Sequence, residues 1–201
     1  MISIGIDLAG LEKNKTGFCI LEDNVANSAT WNFLVKPQPK NLRLLSLAET
    51  FILHTDDEIV ENVKKVKPDV VGIDAPLIYP PKIRKCDRTL KKYGAMPPTM
   101  KSMSILSKRG FFLAKKLKGF NVIEVFPTAS AKILGVYNKD INMVVQGLLN
   151  LGLIINNSIS TKDEVDALLA ALTGLLHLHN LTEDVGDKEG VVICPKANLL
   201  F

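Results

Sequence analysis

Near the N-terminus the apolar residues fall into short β-branched blocks; further along they form stripes at helical spacing. Residues 2–8, 16–21 and 29–35 read as strands, with a polar turn at 22–28 between the last two, which predicts the start of an antiparallel meander. Residues 42–53 are apolar enough for a strand or a helix, and periodicity does not separate the two. Asp56 and Asp57 offer N-cap groups for a helix carrying Ile59, Val60, Val63 and Val66 on one face, and Pro68 stops it before a strand at 69–73. Strand, helix and strand in that order imply parallel pairing. Residues 121–126 read as another strand, 140–151 as a helix and 190–194 as a last strand. Thr161-Lys-Asp-Glu164 has capping-box spacing, and it opens a helix whose stripe includes Val165, Leu168, Leu169, Leu172 and Leu176.

This order of elements predicts an α/β fold, a mixed sheet in which an antiparallel meander is followed by parallel strands, with helices on its faces. Ligands in such sheets favour the carboxyl ends of strands where the strand order switches. The chain has 201 residues and is 47% hydrophobic, enough for one sizeable core, so a single domain over 1–201 is expected, with a basic helical insert at about 80–119. No apolar run approaches the roughly 20 residues that span a bilayer, and the N-terminal segment reads as a strand without the basic start of a signal peptide. A cytoplasmic protein with no membrane contact is the expectation. Cys19, Cys86 and Cys194 are odd in number and far apart, which argues against a disulfide framework or zinc-ligand spacing. His177 and His179, two apart on a helix, diverge too far to share a metal. Neither a phosphate-binding Gly-x-x-x-x-Gly-Lys-Ser/Thr loop nor a dinucleotide fingerprint is present.

The acids carry more information. Asp7 in Ile-Gly-Ile-Asp-Leu-Ala-Gly, Asp74 in Val-Val-Gly-Ile-Asp-Ala-Pro and Glu124 in Val-Ile-Glu-Val-Phe-Pro are single carboxylates within or ending apolar strands. An unpaired charge there is costly. Each one alone is explained as a strand-end cap or as half of an ion pair. Several together at one sheet edge repel unless a cation neutralises them, and hard divalent ions take oxygen ligands of this kind. Asp163 and Asp166 share a helix face. The helix dipole accounts for Asp163 and Glu164 in the first turn and accounts less well for Asp166. Ala167, Ala170, Ala171 and Gly174 are small enough to let this helix lie close on the sheet and deliver Asp166 to the strand-borne acids.

These stretches, together with Thr16-Gly17, Arg84-Lys-Cys-Asp87, Glu124-Val-Phe-Pro127 and Gly186-Asp-Lys-Glu-Gly190, resemble in order the predicted-nuclease family known as domain-of-unknown-function family 429, placed in the ribonuclease H-like superfamily. The resemblance spans nearly the entire chain. It implies a ribonuclease H-like sheet with an acidic metal site on Asp7, Asp74 and Asp166, and with Asp163 and Glu124 as further candidates. The Asn and Lys residues between Gly10 and Thr16, and the extra length between 22 and 56, depart from the family pattern and fall on the second and third strands.

Charge patterning points to a polyanionic substrate independently. Between Lys82 and Lys118 lie twelve Lys or Arg residues and one acid, a charge of +11, whereas the rest of the chain has 13 basic and 20 acidic residues, a charge of −7. The net +4 hides this asymmetry, which suits nucleic-acid phosphates through counterion release. A solvated lysine-rich surface is the plainer account. The segment begins soon after Asp74 and ends just before Glu124, so it must fold back beside the acids. Its methionines and its Gly94 and Gly110 breaks suggest a mobile stretch, and it shows no aromatic interleaving of the kind that stacks bases.

The expected function is therefore a metal-dependent nuclease acting on RNA or DNA. Asp7 would be shared by two Mg²⁺ or Mn²⁺ ions, and Asp74 and Asp166 would each complete one coordination shell. Glu124 or Asp163 would serve as an outer ligand or orient water. Arg84, Lys85, Arg88, Lys91 and Lys92 are candidates for holding the phosphate backbone. Two rivals use the same residues: a non-catalytic nucleic-acid-binding protein, and a small-molecule phosphohydrolase or nucleotide-binding enzyme.

Overall fold

The computed structural model describes residues 1–23, 46–197 and 199. Its central sheet has six strands: β1 (Ile2–Asp7), β2 (Thr16–Asp23), β3 (Ser46–Leu53), β4 (Val70–Asp74), β5 (Val122–Glu124) and β6 (Leu153–Ile155), in the order β5-β4-β1-β2-β3-β6. β1, β2 and β3 pair antiparallel, and β4, β5 and β6 join in parallel. This is the mixed α/β sheet with flanking helices that the sequence predicts. The strand expected at 29–35 lies outside the described residues, as do residues 42–45. Residues 46–53 resolve the strand-or-helix ambiguity as strand.

Alternation along the strands divides the core between the two faces. Ile4, Ile6, Phe18, Val71 and Ile73 pack under α1 (Asp56–Val66) and α3 (Lys101–Lys116), against Ile59, Val63 and Leu113. Cys19, Leu21 and Ala48 point the other way, onto α6 (Lys162–Leu178), which is joined there by α4 (Pro127–Ile133) and α5 (Ile141–Asn150). The remaining helix, α2 (Lys85–Leu90), leads into a 3₁₀ turn at Lys91–Tyr93. A second sheet pairs β7 (Thr182–Asp187) with β8 (Gly190–Pro195), and Val125 bridges to Ile193 to attach this hairpin to the β5 edge.

α6 lies almost in contact with the strand backbones. A Cβ on Gly5 would run into the carbonyl of Ala167 and the amide of Ala171, and one on Gly17 would run into the carbonyl of Asp163. Ser3 Oγ donates to Ala171 O at 2.8 Å, and Gly174 leaves room for that serine. Glycines on the strands and small residues on the helix therefore set the spacing of the layers. Thr161 caps α6, accepting from Glu164 N–H, while Glu164 Oε2 accepts from the backbone N–H of Ser160 and Thr161 at 3.1 and 3.0 Å.

Two expectations change here. The α1 cap is Thr55, in a capping box with Glu58, and Asp56 is instead buried in an ion pair with Arg109, Oδ1 to Nε 2.9 Å. Gly110 does not break its segment. It sits inside α3, where a side chain would press into Ala75 and Leu77, so the glycine serves helix packing.

Candidate metal centre

The acids meet because of strand register. β1 and β4 run parallel with Asp7 level with Asp74, both at strand ends and both turned toward α6. α6 places Asp166 opposite them, one turn after its capped N-terminus. One carboxylate oxygen from each of Asp7, Asp74 and Asp166 lies within 4.8 Å of the other two. Among the described residues this is the group of acidic and metal-ligating side chains close enough to share an ion. A cavity of about 600 Å³ opens beside it, lined by Asp7, Ala9, Gly10, Lys13, Asn14 and Asp163.

Electrostatics in the cluster follow from crowding. Burial first, and then the fields of Asp166 and Asp163, push the Asp7 carboxyl up to about 7, opposed by Lys162. Burial and the charges of Asp7 and Asp166 raise Asp74 well above the ordinary carboxylate range. Burial also raises Asp166, with Lys162 pulling it back. Lys162 itself loses hydration through burial, yet its hydrogen bond to Asp166 and the fields of Asp166, Asp7 and Asp74 hold it above the usual lysine value. Its ammonium contacts Asp166 Oδ2 one helical turn away. This lysine was not among the expected site residues, although its i,i+4 spacing to Asp166 was readable in the sequence. Three converging carboxylates that resist simultaneous ionisation, with an all-oxygen donor set, fit a hard divalent cation.

Neither a protein-family model nor a curated protein matches this chain. Among solved structures it is similar to RuvC of Thermus thermophilus, with 15% identity and a TM-score of 0.53, and to T. thermophilus RuvC in complex with a Holliday junction substrate, with 14% identity and a TM-score of 0.52. Each alignment covers 90% of this chain and 96% of RuvC. The fold is ribonuclease H-like.

Other expected site residues occupy different places around the ribonuclease H-like sheet. Asp163 stands at the cavity lining and acts on Asp7 through its field, while the close group of three is completed without it. Glu124 ends β5, but Ile123 and Val125 pack with Ala170 of α6, so alternation turns the Glu124 carboxylate to the opposite face. There it accepts from Arg84 Nη2 and Nη1 at 2.6 and 2.7 Å and from the Leu77 N–H at 2.9 Å. Burial raises Glu124 above the ordinary carboxylate value, against the bonds and charge of Arg84. The ion-pair account suffices for this acid. Its contact with Leu77 braces the loop that follows Asp74.

Arg84 departs from its expected role. It is 1% exposed, its fork shared between Glu124 and Asp87, with Gly190 of β8 closed over the guanidinium. A fully buried, bidentate arginine is not presented to a phosphate. Lys85, Arg88, Lys91 and Lys92 are exposed along α2 and the following turn. Cys19, Cys86 and Cys194 are free thiols, all buried, and burial pushes Cys86 and Cys194 up to about 12, so none is an activated nucleophile. No helix among the described residues is long and apolar enough to cross a membrane.

Proposed function

We propose that this protein is a metal-dependent nuclease, with Asp7, Asp74 and Asp166 holding Mg²⁺ or Mn²⁺, and that it belongs with the family of unknown function 429 that its motifs resemble. The observation that carries the reading is the convergence of those carboxylates at the carboxyl ends of β1 and β4 in a ribonuclease H-like sheet. Divalent ions bound there supply Lewis acidity and a water acidified toward neutral pH. The chain's own residues do the rest. Asp7, level with Asp74 in register and grouped with Asp166, would hold the ions together with them. The ammonium of Lys162 offsets part of the cluster's charge in the metal-free protein, and its stem is exposed enough to swing aside. Asp163, which lines the cavity, would accept a proton from water or orient it. Exposed cations on α3, which is bonded to the loops after Asp7 and Asp74, would hold the substrate backbone, and those on α2 would extend that hold past the β5 edge.

RuvC bound to a Holliday junction supports a nucleic-acid substrate for this chain by fold alone. One observation favours the non-catalytic rival: Lys162 already supplies a cation to Asp166. Turnover of a labelled oligonucleotide decides between them. Cleavage requiring Mg²⁺ or Mn²⁺, stopped by a chelator and lost in Asp74→Asn and Asp166→Asn while binding at low salt survives, establishes the nuclease. Binding with no metal-dependent cleavage across single-stranded, duplex and branched substrates establishes the rival. Hydrolysis confined to free nucleotides assigns a small-molecule phosphohydrolase.

A further inference from the structure

Lys101, Ile105, Lys108, Phe112 and Lys115 are exposed on α3 and follow one another at steps of four, three, four and three residues. That spacing places them on one helix face. The stripe alternates cation and apolar side chain over a rise of about 21 Å, with a lysine roughly every 10 Å. Alternation is absent from the linear sequence, because Phe111 and Phe112 stand together there; the helix separates them, and Phe112 falls between Lys108 and Lys115.

The ring is not isolated. Tyr79, from the loop after β4, lies 5.8 Å from Phe112 and 6.1 Å from Phe111, centroid to centroid, and the two phenylalanines meet edge to face at 5.5 Å. Lys115 Nζ stands 4.5 Å from the Phe111 ring and 5.8 Å from the Phe112 ring. Phe112 and Tyr79 each remain 43% exposed. Scattered single hydrophobics on a surface are ordinary, but a partly exposed cluster of three rings with a lysine ammonium against it marks a contact site.

Its position ties it to the acids. A Cβ on Gly10 would lie 3.8 Å from Ile105 Cγ2, and Gly10 lines the cavity beside Asp7. Arg109 Nη1 donates to Ala9 O at 2.6 Å, and Ser107 Oγ donates to Ile78 O, so α3 is fastened to the loops that follow both Asp7 and Asp74. The stripe runs from Ile105, next to Gly10 of the cavity wall, to the ring cluster at Phe112.

We propose that this stripe of α3 binds a nucleic-acid strand carrying unpaired nucleotides, with a base stacked on Phe112 and Tyr79 and the phosphates met by Lys101, Lys108 and Lys115. An aromatic face takes a base only when that base has left its own stack, so duplex DNA has nothing to offer the rings, whereas a single strand, bulge or branch does. Three lysines at this interval suit a repeating anion, and the arrangement deepens the nuclease reading and rests on it for the claim that the strand continues to the acids.

The test uses the full chain in chelator, so binding is read apart from cleavage. A fluorescent oligothymidine and a duplex of equal length are titrated by anisotropy at several salt concentrations. Phe112→Ala should weaken the single strand about ten-fold or more, leave the duplex nearly unchanged and leave the salt slope unaltered, and Phe112→Trp should restore affinity with its fluorescence quenched on binding. Lys108→Ala and Lys115→Ala should each lower the slope of log affinity against log salt by about 0.7. Unchanged single-strand affinity in Phe112→Ala overturns the proposal, as does equal loss for duplex, or tighter association with polyglutamate or phosphatidylserine vesicles than with the oligonucleotide. Metal-dependent cleavage surviving in a protein that fails this test would sink the stripe and leave the nuclease standing. Ring-dependent binding without cleavage would do the reverse.

Discussion

At Asp7 a single carboxyl links pH and stability. Its ordinary value in an unfolded chain is near 4, and burial with neighbouring acids raises it to about 7 in the fold. Between those values the folded protein keeps a proton that the unfolded chain has lost, so stability falls as pH rises from about 4 to 7 and levels off above. The penalty at pH 8 is on the order of 2–4 kcal/mol for the metal-free protein. Thermal melts in chelator should show this decline, Asp7→Asn should make it shallower, with the raised Asp74 and Asp166 keeping the remainder, while abolishing Mn²⁺ stabilisation, and Mn²⁺ should raise the wild-type melting temperature more at pH 8 than at pH 5. A flat profile for the metal-free wild type removes the raised carboxyl from the account. Arg84 makes the opposite case, a charge fully matched in the interior. Arg84→Met leaves Glu124 and Asp87 buried without their cation and should cost about 3–5 kcal/mol in urea unfolding. The double replacement Arg84→Met with Glu124→Gln should recover part of that loss. Equal losses for the single and double variants would show that the pair is not coupled.

The element that decides the site is α6, and most of it was legible. Thr161 and Glu164 marked its start, the leucine stripe its buried face, and Ala167, Ala170, Ala171 and Gly174 its close approach. What the sequence hid was the other half of that contact, because Gly5 and Gly17 acquire meaning only when α6 lies across them. Gly17→Ala drives a methyl into the Asp163 carbonyl and should destabilise by about 3 kcal/mol while weakening Mn²⁺ binding, since it lifts the end of α6 that carries Asp166. Gly10→Ala, with its nearest neighbour at 3.8 Å, should unfold within about 0.5 kcal/mol of wild type. Equal stability of the two variants by chemical denaturation would contradict this close packing. Other elements were harder to read for physical reasons. β7 is polar along Thr182–Asp187 and borrows its apolar partners from β8, so it carries no alternation of its own. β6 is three residues long. Glu124 looked like Asp7 and Asp74 in sequence, and only the β5 register shows which face it serves.

Across the whole molecule, the +11 segment is less of a free positive surface than its count suggests. Arg84 and Arg109 are spent inside the fold, and Lys82 and Lys116 pair with Glu189 and with Asp56 and Asp57. Counting charges along a chain cannot distinguish a buried guanidinium from an exposed ammonium, since both types of residue read the same. The sheet's long-range order has a kinetic counterpart. β1 pairs with β2 and β4, and α6 packs on all three from the far end of the chain, a topology in which distant contacts must close before they reward the chain. Refolding from urea should therefore show Mn²⁺ binding return with the slowest phase, after most of the helical signal; simultaneous recovery would mean that α6 docks early.

That packing of α6 against β1 also carries a consequence for synthesis. Emerging chains fold from the N-terminal side as they leave the ribosome. Asp7 and Asp74 therefore reach solution long before the helix that bears Asp166. The Arg84 guanidinium waits longer still, for Gly190 of β8 to close over it. A nascent chain in this interval has two acids of the site without the third or the lysine beside it. The acidic cluster is therefore assembled only after translation has passed α6, and until then the chain lacks the geometry that brings its three carboxylates together.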